Sequence, residues 1–311
     1  MTVLPIGELE ANVNSLILTA EALALLCCLP ILVRTRCSLR ETTLITACNG
    51  ALAVVVAWAS LWTVDSALGC VPPGTADQLW YALAVFSLSP AVAVLGARRP
   101  ISRVWPWFVV GPMILILIGP ALVDWSATSR GRALELEEPA IVGFFVVLIM
   151  AAGNYLGTRH RLSALLLIAA IALLVAPLMI GFPKTLITRD TARLAATACF
   201  AAAILARQLP RRSPPPFDSP FDRLWDDFHN VFGLVWARRV QDRINIEAQK
   251  EKWPLKLEIH GLVWNSQTID PKTRTQTEAR LEHHIRWLFR RFVSEAWLDH
   301  YLKQTDPTTR N

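Results

Sequence analysis

One carboxylate lies in the middle of an apolar stretch near the start of the chain. Glu21 is flanked by alanine and leucine within Asn12–Val33, a stretch long enough to cross a lipid bilayer. An ionisable group at that depth costs on the order of 3 kcal/mol on insertion scales, so it should pair with a polar group or hold a proton. The polar residues that could reach it are Asn14, Asn49 and Asp65, together with an arginine at the end of a span.

Two interpretations of Glu21 remain open. It is either a proton or cation site of a small-solute or ion transporter, or a protonated side chain that joins helices by a hydrogen bond. The pairs Gly111-Pro112 and Gly119-Pro120, and Pro90, favour the first interpretation. Proline removes a backbone donor and kinks a helix, and broken helices line the binding sites of some transporters.

No catalytic, cofactor or metal motif stands out. The chain has no Gly-x-x-x-x-Gly-Lys or Gly-x-Gly-x-x-Gly phosphate loop and no Gly-x-Ser-x-Gly nucleophile elbow. His283-His284 lacks the spacing of a metal site, because adjacent histidines on a helix point in different directions. The pair Asp226-Asp227 is better explained as solvent-facing than as catalytic. We therefore expect no enzyme, no cofactor and no bound metal.

The composition separates a membrane half from a soluble tail. The 311 residues are 53% hydrophobic and 18% charged, whereas soluble proteins carry about 25% charged residues. Residues 1–207 contain one lysine, Lys184, and the other lysines lie beyond residue 249. The net charge of +6 could suggest nucleic acid. However, the basic residues of the first half cluster at the ends of apolar runs, which is typical of membrane orientation, so we expect no nucleic-acid partner.

Seven apolar stretches are long enough to be transmembrane helices. The seventh is the weakest, because it is rich in alanine and carries Arg189, Asp190 and Arg193 near its start. The sequence predicts an all-α polytopic membrane domain over residues 1–207, with a lipid bilayer as its first partner. The stretches are Asn12–Val33, Thr43–Ala67, Gln78–Ala97, Val104–Val123, Pro139–Leu156, Leu162–Phe182 and Ile187–Ala206.

The loop charges predict an orientation. Arginines follow the first, third, fifth and seventh spans, whereas the N-terminus and the Ala67–Asp77 loop have no lysine or arginine. The Asp124–Glu138 loop is net acidic, and only the loop with Lys184 is ambiguous. Because cytoplasmic loops carry the excess of positive charge, we expect the N-terminus outside and the C-terminus in the cytoplasm. The protein would be a multi-pass protein of a plasma membrane or a bacterial inner membrane.

The remaining chain predicts a basic, proline-rich linker and a small tail domain. Residues 208–218 form the linker, and residues 219–311 form a cytoplasmic, mainly α domain with a short β element. Ser219-Pro220 is typical of a helix start, and Trp253-Pro254 should follow its end. Leu255–Trp264 alternates like a strand or short hairpin. Thr275-Gln-Thr-Glu278 resembles a capping box that opens a second helix, after a loop at Asp270-Pro271.

The tail helices carry aromatic side chains at helical spacing, which we expect to pack together and to contact a partner. The leading hypothesis is a non-enzymatic, membrane-anchored scaffold whose tail binds a cytoplasmic or membrane protein, or a second copy of the chain. The alternative is the transporter that uses Glu21. The candidate tail interaction face consists of Trp225, Phe228, Phe232, Trp287, Phe292 and Trp297.

Overall fold

The protein is mostly helical, with one two-stranded sheet. A computed structural model describes residues 6–68, 71–99, 101–123, 125–183, 187–208, 217, 219–265 and 270–302. The predicted linker, apart from Gln208 and Phe217, lies outside the described residues. Side chains of residues 6–19, including Asn14, are also outside this description.

Within the described residues, the first part of the chain forms ten α-helices, and three of them are extended by short π- or 3₁₀-helical segments. The π segment Pro106–Val110 continues α5 into α6, and the 3₁₀ segments Ala176–Leu178 and Ala206–Gln208 follow α9 and α10. The helices are α1 (Ile6–Ser38), α2 (Ile45–Leu68), α3 (Pro73–Ser87), α4 (Ser89–Leu95), α5 (Ile101–Trp105), α6 (Gly111–Val123), α7 (Trp125–Thr128), α8 (Glu138–Gly153), α9 (Arg161–Val175) and α10 (Arg189–Leu205).

Each of the seven predicted apolar stretches falls on one of these helices or on a consecutive pair. Within the described residues, four helical segments are long and apolar enough to cross a membrane, and Glu138–Gly153 is a shorter apolar helix. This composition indicates a membrane protein. The four segments are Ile45–Asp65, Pro73–Leu95, Pro106–Val123 and Arg161–Leu178.

The helices pack around a core of large apolar side chains. Trp58 is fully buried and stacks on Phe200 with ring centroids 4.2 Å apart, which joins α2 to α10. Tyr81 and Phe144, from α3 and α8, are also fully buried and lie 6.0 Å apart. The helix break between α3 and α4 occurs at Leu88, two residues before Pro90, whereas Pro120 lies inside α6 without interrupting it.

The described residues of the tail form three helices and a hairpin: α11 (Pro220–Lys250), β1 (Leu255–Glu258), β2 (Gly261–Trp264), α12 (Pro271–Phe289) and α13 (Glu295–Leu302). The predicted start of α11 is confirmed, because the Ser219 hydroxyl accepts a hydrogen bond from the Phe221 N–H. The predicted capping box is wrong. Asp270 caps α12 by accepting from the Thr273 N–H, with Pro271 in the first turn, so Thr275 lies inside the helix.

The hairpin lies along α11. Strands β1 and β2 are antiparallel, with Leu255 opposite Trp264 and Glu258 opposite Gly261. Asn245 of α11 accepts from the Leu257 N–H (2.7 Å) and donates to the Leu257 carbonyl (2.9 Å). Its side chain therefore supplies the ladder partner that a third strand would have supplied.

The tail and one end of the helical bundle share a single hydrophobic core. Leu44, Ala47, Val94 and Ala97 of the bundle are buried together with the aromatic side chains of α11 and α12. These bundle residues adjoin the loops at residues 39–44 and 96–99, which carry three of the predicted inside arginines, Arg40, Arg98 and Arg99. We call this the tail-bearing end; the loop at residues 125–137 lies at the opposite end, against the start of α3.

Candidate functional site

Glu21 faces the bundle. Leu25, one turn later on the same face of α1, is fully buried in the core. The Oε2 atom of Glu21 is enclosed and has no hydrogen-bond partner among the residues whose side chains are described. A buried carboxyl oxygen without a partner is costly as an anion, so this geometry favours a carboxyl group that holds its proton.

The residues that the sequence grouped with Glu21 are occupied elsewhere. Asn49 is exposed and accepts a hydrogen bond from Nε of Arg36 (2.7 Å). Asp65 accepts from Nε1 of Trp80 (2.7 Å) and pairs with Arg193 (3.2 Å). The side chain of Asn14 lies outside the described residues.

A buried charge network joins three helices at the end opposite the tail. Asp77 of α3 is 1% exposed and binds two arginines of α10, Arg193 (3.0 Å) and Arg189 (2.6 Å). Arg193 also binds Asp65 at the end of α2 and lies over the Trp80 ring, 5.6 Å from its centroid. Every carboxylate in this network is paired with a guanidinium group. The network therefore stabilises the contact between helices, and its carboxylates are not arranged as a nucleophile or base.

Sequence reasoning noticed one half of this network. Arg189 and Arg193 stood out only as a weakness of the seventh span, and Asp77 was not singled out. The available signal was two opposite charges, one near the start of α3 and one near the start of α10, in otherwise apolar stretches. A buried charge needs a partner, so those residues could have been paired in advance.

Four of the six residues in the predicted tail interaction face lie inside the protein. Phe228 and Phe232 are 0% exposed, and Trp225 and Phe292 are buried. Phe228 lies 4.4 Å from Phe289 and 5.4 Å from Phe292 between ring centroids, so the expected packing of the two aromatic faces is confirmed. Trp297 is half-buried, and Trp287 alone is well exposed, at 42%.

A break in α11 holds the tail on the bundle. Gly233 has φ 79° and ψ 179°, a conformation that only glycine adopts readily, and it interrupts the helical hydrogen bonds. Asn154, at the end of α8, fills the break. Its side-chain amide donates to the Phe232 carbonyl (3.2 Å), and its Oδ1 accepts from the Val235 N–H (2.9 Å). The Asn154 carbonyl accepts from the Leu234 N–H (2.9 Å).

We call this contact the Asn154–Gly233 lock. Asn154 is 3% exposed, so the backbone groups that it satisfies have little access to water. A Cβ at Gly233 would lie 2.6 Å from Cγ of Asn154, and a Cβ at Gly157 would lie 2.9 Å from Leu234. The signal for Asn154 is an asparagine near the end of the apolar stretch Pro139–Leu156, because side-chain amides in such stretches often form hydrogen bonds between helices. The signal for Gly233, an isolated glycine within an amphipathic helical pattern, was overlooked.

A second contact fastens the end of α12 between two bundle loops. The Thr43 N–H donates to the Phe292 carbonyl, and the Arg99 N–H donates to the Arg291 carbonyl, both at 2.8 Å. The Ser294 N–H donates to the Glu41 carbonyl at the same distance. Backbone bonds of this kind fix the position of the tail independently of its side chains.

Polar side chains complete the tail-bearing end. Arg159 of the α8–α9 turn pairs with Asp227 of α11 (3.0 Å), and the Tyr301 hydroxyl of α13 donates to the same carboxylate (2.7 Å). Burial and this hydrogen bond raise the pKa of Tyr301. The predicted solvent-facing carboxylate pair therefore takes part in the contact between tail and bundle.

A cavity of about 280 Å³ lies where α1, α2, α4, α9 and α10 meet α11. Its walls are mainly apolar, with Thr35, Ser163 and Asn230 among the few polar groups. The residues that line it do not include Glu21. The cavity is thus separate from the intramembrane carboxyl group.

Within the described residues, no group of three or more histidine, cysteine, aspartate or glutamate side chains is placed to hold a metal ion. The chain matches no known family model, and no characterised protein or solved structure is significantly similar to it. The site must therefore be interpreted from its own geometry.

Proposed function

We propose that this is a non-enzymatic membrane scaffold whose tail and bundle act as one unit. The supporting observation is the core that the tail-bearing end shares with α11 and α12, closed by the Asn154–Gly233 lock. A partner bound to the tail would be held at the membrane surface in a fixed orientation. The buried aromatic face cannot serve as its contact. The exposed apolar side chains of the tail, Ile246, Ile259, Val263 and Trp287, are the better candidates.

In-cell cross-linking of the full chain tests this function. A photoreactive amino acid replaces Ile246 or Val263, with Ser129 in the opposite loop as the control position. We expect the same discrete adduct from both tail positions, containing either one partner protein or a second copy, and no such adduct from Ser129. The scaffold proposal fails if both tail positions give no adduct, or the same products as Ser129.

We further propose seven spans, with the N-terminus outside and the tail in the cytoplasm. The clustering of the arginine-bearing loops with the tail supports this arrangement, because positive loops face the cytoplasm. The ambiguous arginines, Arg189 and Arg193, are paired with carboxylates at the opposite end. In a background without native cysteines, an impermeant maleimide added to intact cells should label Ser129→Cys and not Glu251→Cys. The reverse labelling would overturn the orientation.

A transporter is the second candidate, because the enclosed Oε2 of Glu21 has no described hydrogen-bond partner. It requires a polar path to Glu21, and the 280 Å³ cavity does not supply one, since its lining excludes this residue. The full chain in liposomes containing a pH-sensitive dye provides the test. A proton flux that Glu21→Gln abolishes, and that Glu138→Gln leaves intact, would support transport. No flux above protein-free liposomes, or a flux unchanged in Glu21→Gln, would exclude this role.

A further inference from the structure

Four arginines from three separate segments meet beside the contact between α12 and the bundle. Arg98 lies in the turn after α4, Arg243 on α11, and Arg290 and Arg291 in the turn after α12. The backbone bond from the Arg99 N–H to the Arg291 carbonyl (2.8 Å) brings the first and last of these segments together. We call Arg98, Arg243, Arg290 and Arg291 the basic junction.

Among the described residues, the basic junction has no carboxylate partner. None of its four arginines forms an ion pair with a carboxylate in the part of the chain that the structure describes. Arg286, one turn earlier on α12, binds Glu282 (2.9 Å), Asp299 (2.8 Å) and Glu295 (3.2 Å). Acidic residues therefore lie nearby, but they form ion pairs with Arg286 and not with the basic junction.

Electrostatic repulsion is evident at Arg291. Desolvation lowers the pKa of its guanidinium group, and the positive charges of Arg98, Arg290 and Arg243 lower it further. Like charges that are gathered on one surface repel each other, and an anion bound between them would relieve that repulsion.

In the proposed membrane arrangement, on which this inference rests, the basic junction lies at the depth of lipid headgroups. The turn with Arg98 separates two membrane-spanning candidates, Pro73–Leu95 and Pro106–Val123. Trp107 and Phe108, at the start of the second, are 80% and 76% exposed, as expected of side chains that face lipid. A turn between two spans must lie at the membrane surface.

Trp287 gives the junction an interfacial aromatic group. Its ring is well exposed, and the guanidinium groups of Arg291 and Arg290 lie 4.6 Å and 5.9 Å from its centroid. Tryptophan favours the boundary between acyl chains and headgroups. The cation–π contacts orient both arginines without neutralising them.

We propose that the basic junction binds the headgroup of an anionic phospholipid in the adjoining leaflet. The planar guanidinium groups present paired donors that match phosphate oxygens, and Trp287 lies at the acyl boundary. The site is complete only when the tail is docked, because the bundle supplies Arg98 and the tail supplies the other three arginines. Anionic lipid therefore stabilises the docked tail.

Lipid titration of the purified full chain in neutral detergent tests this proposal. Phosphatidylglycerol is added, and bound lipid is counted by native mass spectrometry, with phosphatidylcholine as the zwitterionic comparison. Each arginine removed should weaken phosphatidylglycerol binding about five-fold, equivalent to about 1 kcal/mol. The double variant Arg290→Gln/Arg291→Gln should weaken it about 25-fold.

Two single variants separate lipid binding from damage to the tail. Arg98→Gln leaves the tail unaltered and should still weaken binding about five-fold. Arg274→Gln is the matched control, because Arg274 is also on α12 and stacks on a tryptophan (5.3 Å, Trp264) but has a carboxylate partner, Glu278 (3.0 Å). It should bind lipid like the unaltered chain.

Three results would overturn the proposal. The first is equal binding of phosphatidylglycerol and phosphatidylcholine. The second is unchanged binding in Arg98→Gln. The third is full competition by inorganic pyrophosphate at the same phosphate concentration, which would assign the site to a soluble anion instead of a lipid.

Discussion

The Asn154–Gly233 lock predicts that one asparagine makes a measurable contribution to holding the tail on the bundle. Replacing Asn154 with alanine removes the partners of the Phe232 carbonyl and the Val235 N–H. Both groups lie in a buried region where α11 has no helical bond to offer, because Gly233 interrupts it. The variant should therefore open α11 from the bundle more often, while α8 and the other bundle helices stay folded.

The expected cost follows from the two unpaired groups. Each buried donor or acceptor left without a partner costs about 1–3 kcal/mol, so the pair costs about 2–6 kcal/mol. Shortening the side chain makes room for water, which favours the lower value. A loss of about 2 kcal/mol raises the population with an open tail about 30-fold.

Limited trypsin digestion of the full chain measures this population. Arg238 and Arg239 are exposed and lie one to two turns beyond the break, so cleavage there reports opening of α11. When opening and closing are fast, the cleavage rate follows the equilibrium population of the open form. The cleavage rate of Asn154→Ala should therefore exceed that of the unaltered chain about 30-fold, which corresponds to the loss of about 2 kcal/mol.

A matched control and a second variant complete the design. Asn49→Ala makes the same chemical change at an exposed position with one side-chain partner, and should leave cleavage nearly unchanged. Gly233→Ala should also open the tail, because alanine at φ 79° is strained and its Cβ overlaps Asn154. If Asn154→Ala is cleaved at the same rate as Asn49→Ala, the lock does not hold the tail.

Two further predictions concern charge. Asp77→Asn removes the buried carboxylate that pairs with two arginines and should destabilise the chain by about 3 kcal/mol. Asp190→Asn is the control, because its side chain is 87% exposed, and it should change stability by less than about 0.5 kcal/mol. Thermal unfolding of both variants measures the difference. Burial lowers the pKa of His229, so its contribution to stability should be complete above about pH 6.5 and decline as the pH falls below that value. Thermal unfolding between pH 7.5 and 5 should show this decline, and His229→Phe should reduce it. The exposed control His300→Phe should not reduce it. Equal slopes in all three proteins would refute the assignment to His229.

Local sequence signals were sufficient to predict the elements whose structure depends on residues close together in the chain. The seven apolar stretches coincide with helices, because hydrophobic length and periodicity are properties of a single segment. Ser219-Pro220 starts α11, and the alternation in Leu255–Trp264 produces the hairpin for the same reason. Where two local signals competed, the prediction was wrong. Thr275–Glu278 has the pattern of a cap, but Asp270-Pro271 starts the helix earlier and places Thr275 within it.

The candidate sites depended on contacts that no single segment contains. Asp65 was named as a partner of Glu21, but Arg193 and Trp80 approach it instead, from α10 and α3. The pairing of side chains between helices is set by how the helices rotate and cross, which the sequence pattern does not specify.

The amino-acid sequence by itself determined an apolar helical bundle, a charged aromatic tail and the arginine-bearing loops between apolar stretches. Only the tertiary structure decided that the tail and bundle form one body. Aromatic spacing along α11 shows that one face must be buried, but not what covers it. The bundle covers this face, and the contact depends on Asn154, which lies 79 residues before Gly233 in the sequence. Asn154 forms hydrogen bonds at the break in α11 that glycine permits. The same docking brings Arg98 beside Arg290 and Arg291, and so creates a basic junction that no single stretch of sequence contains.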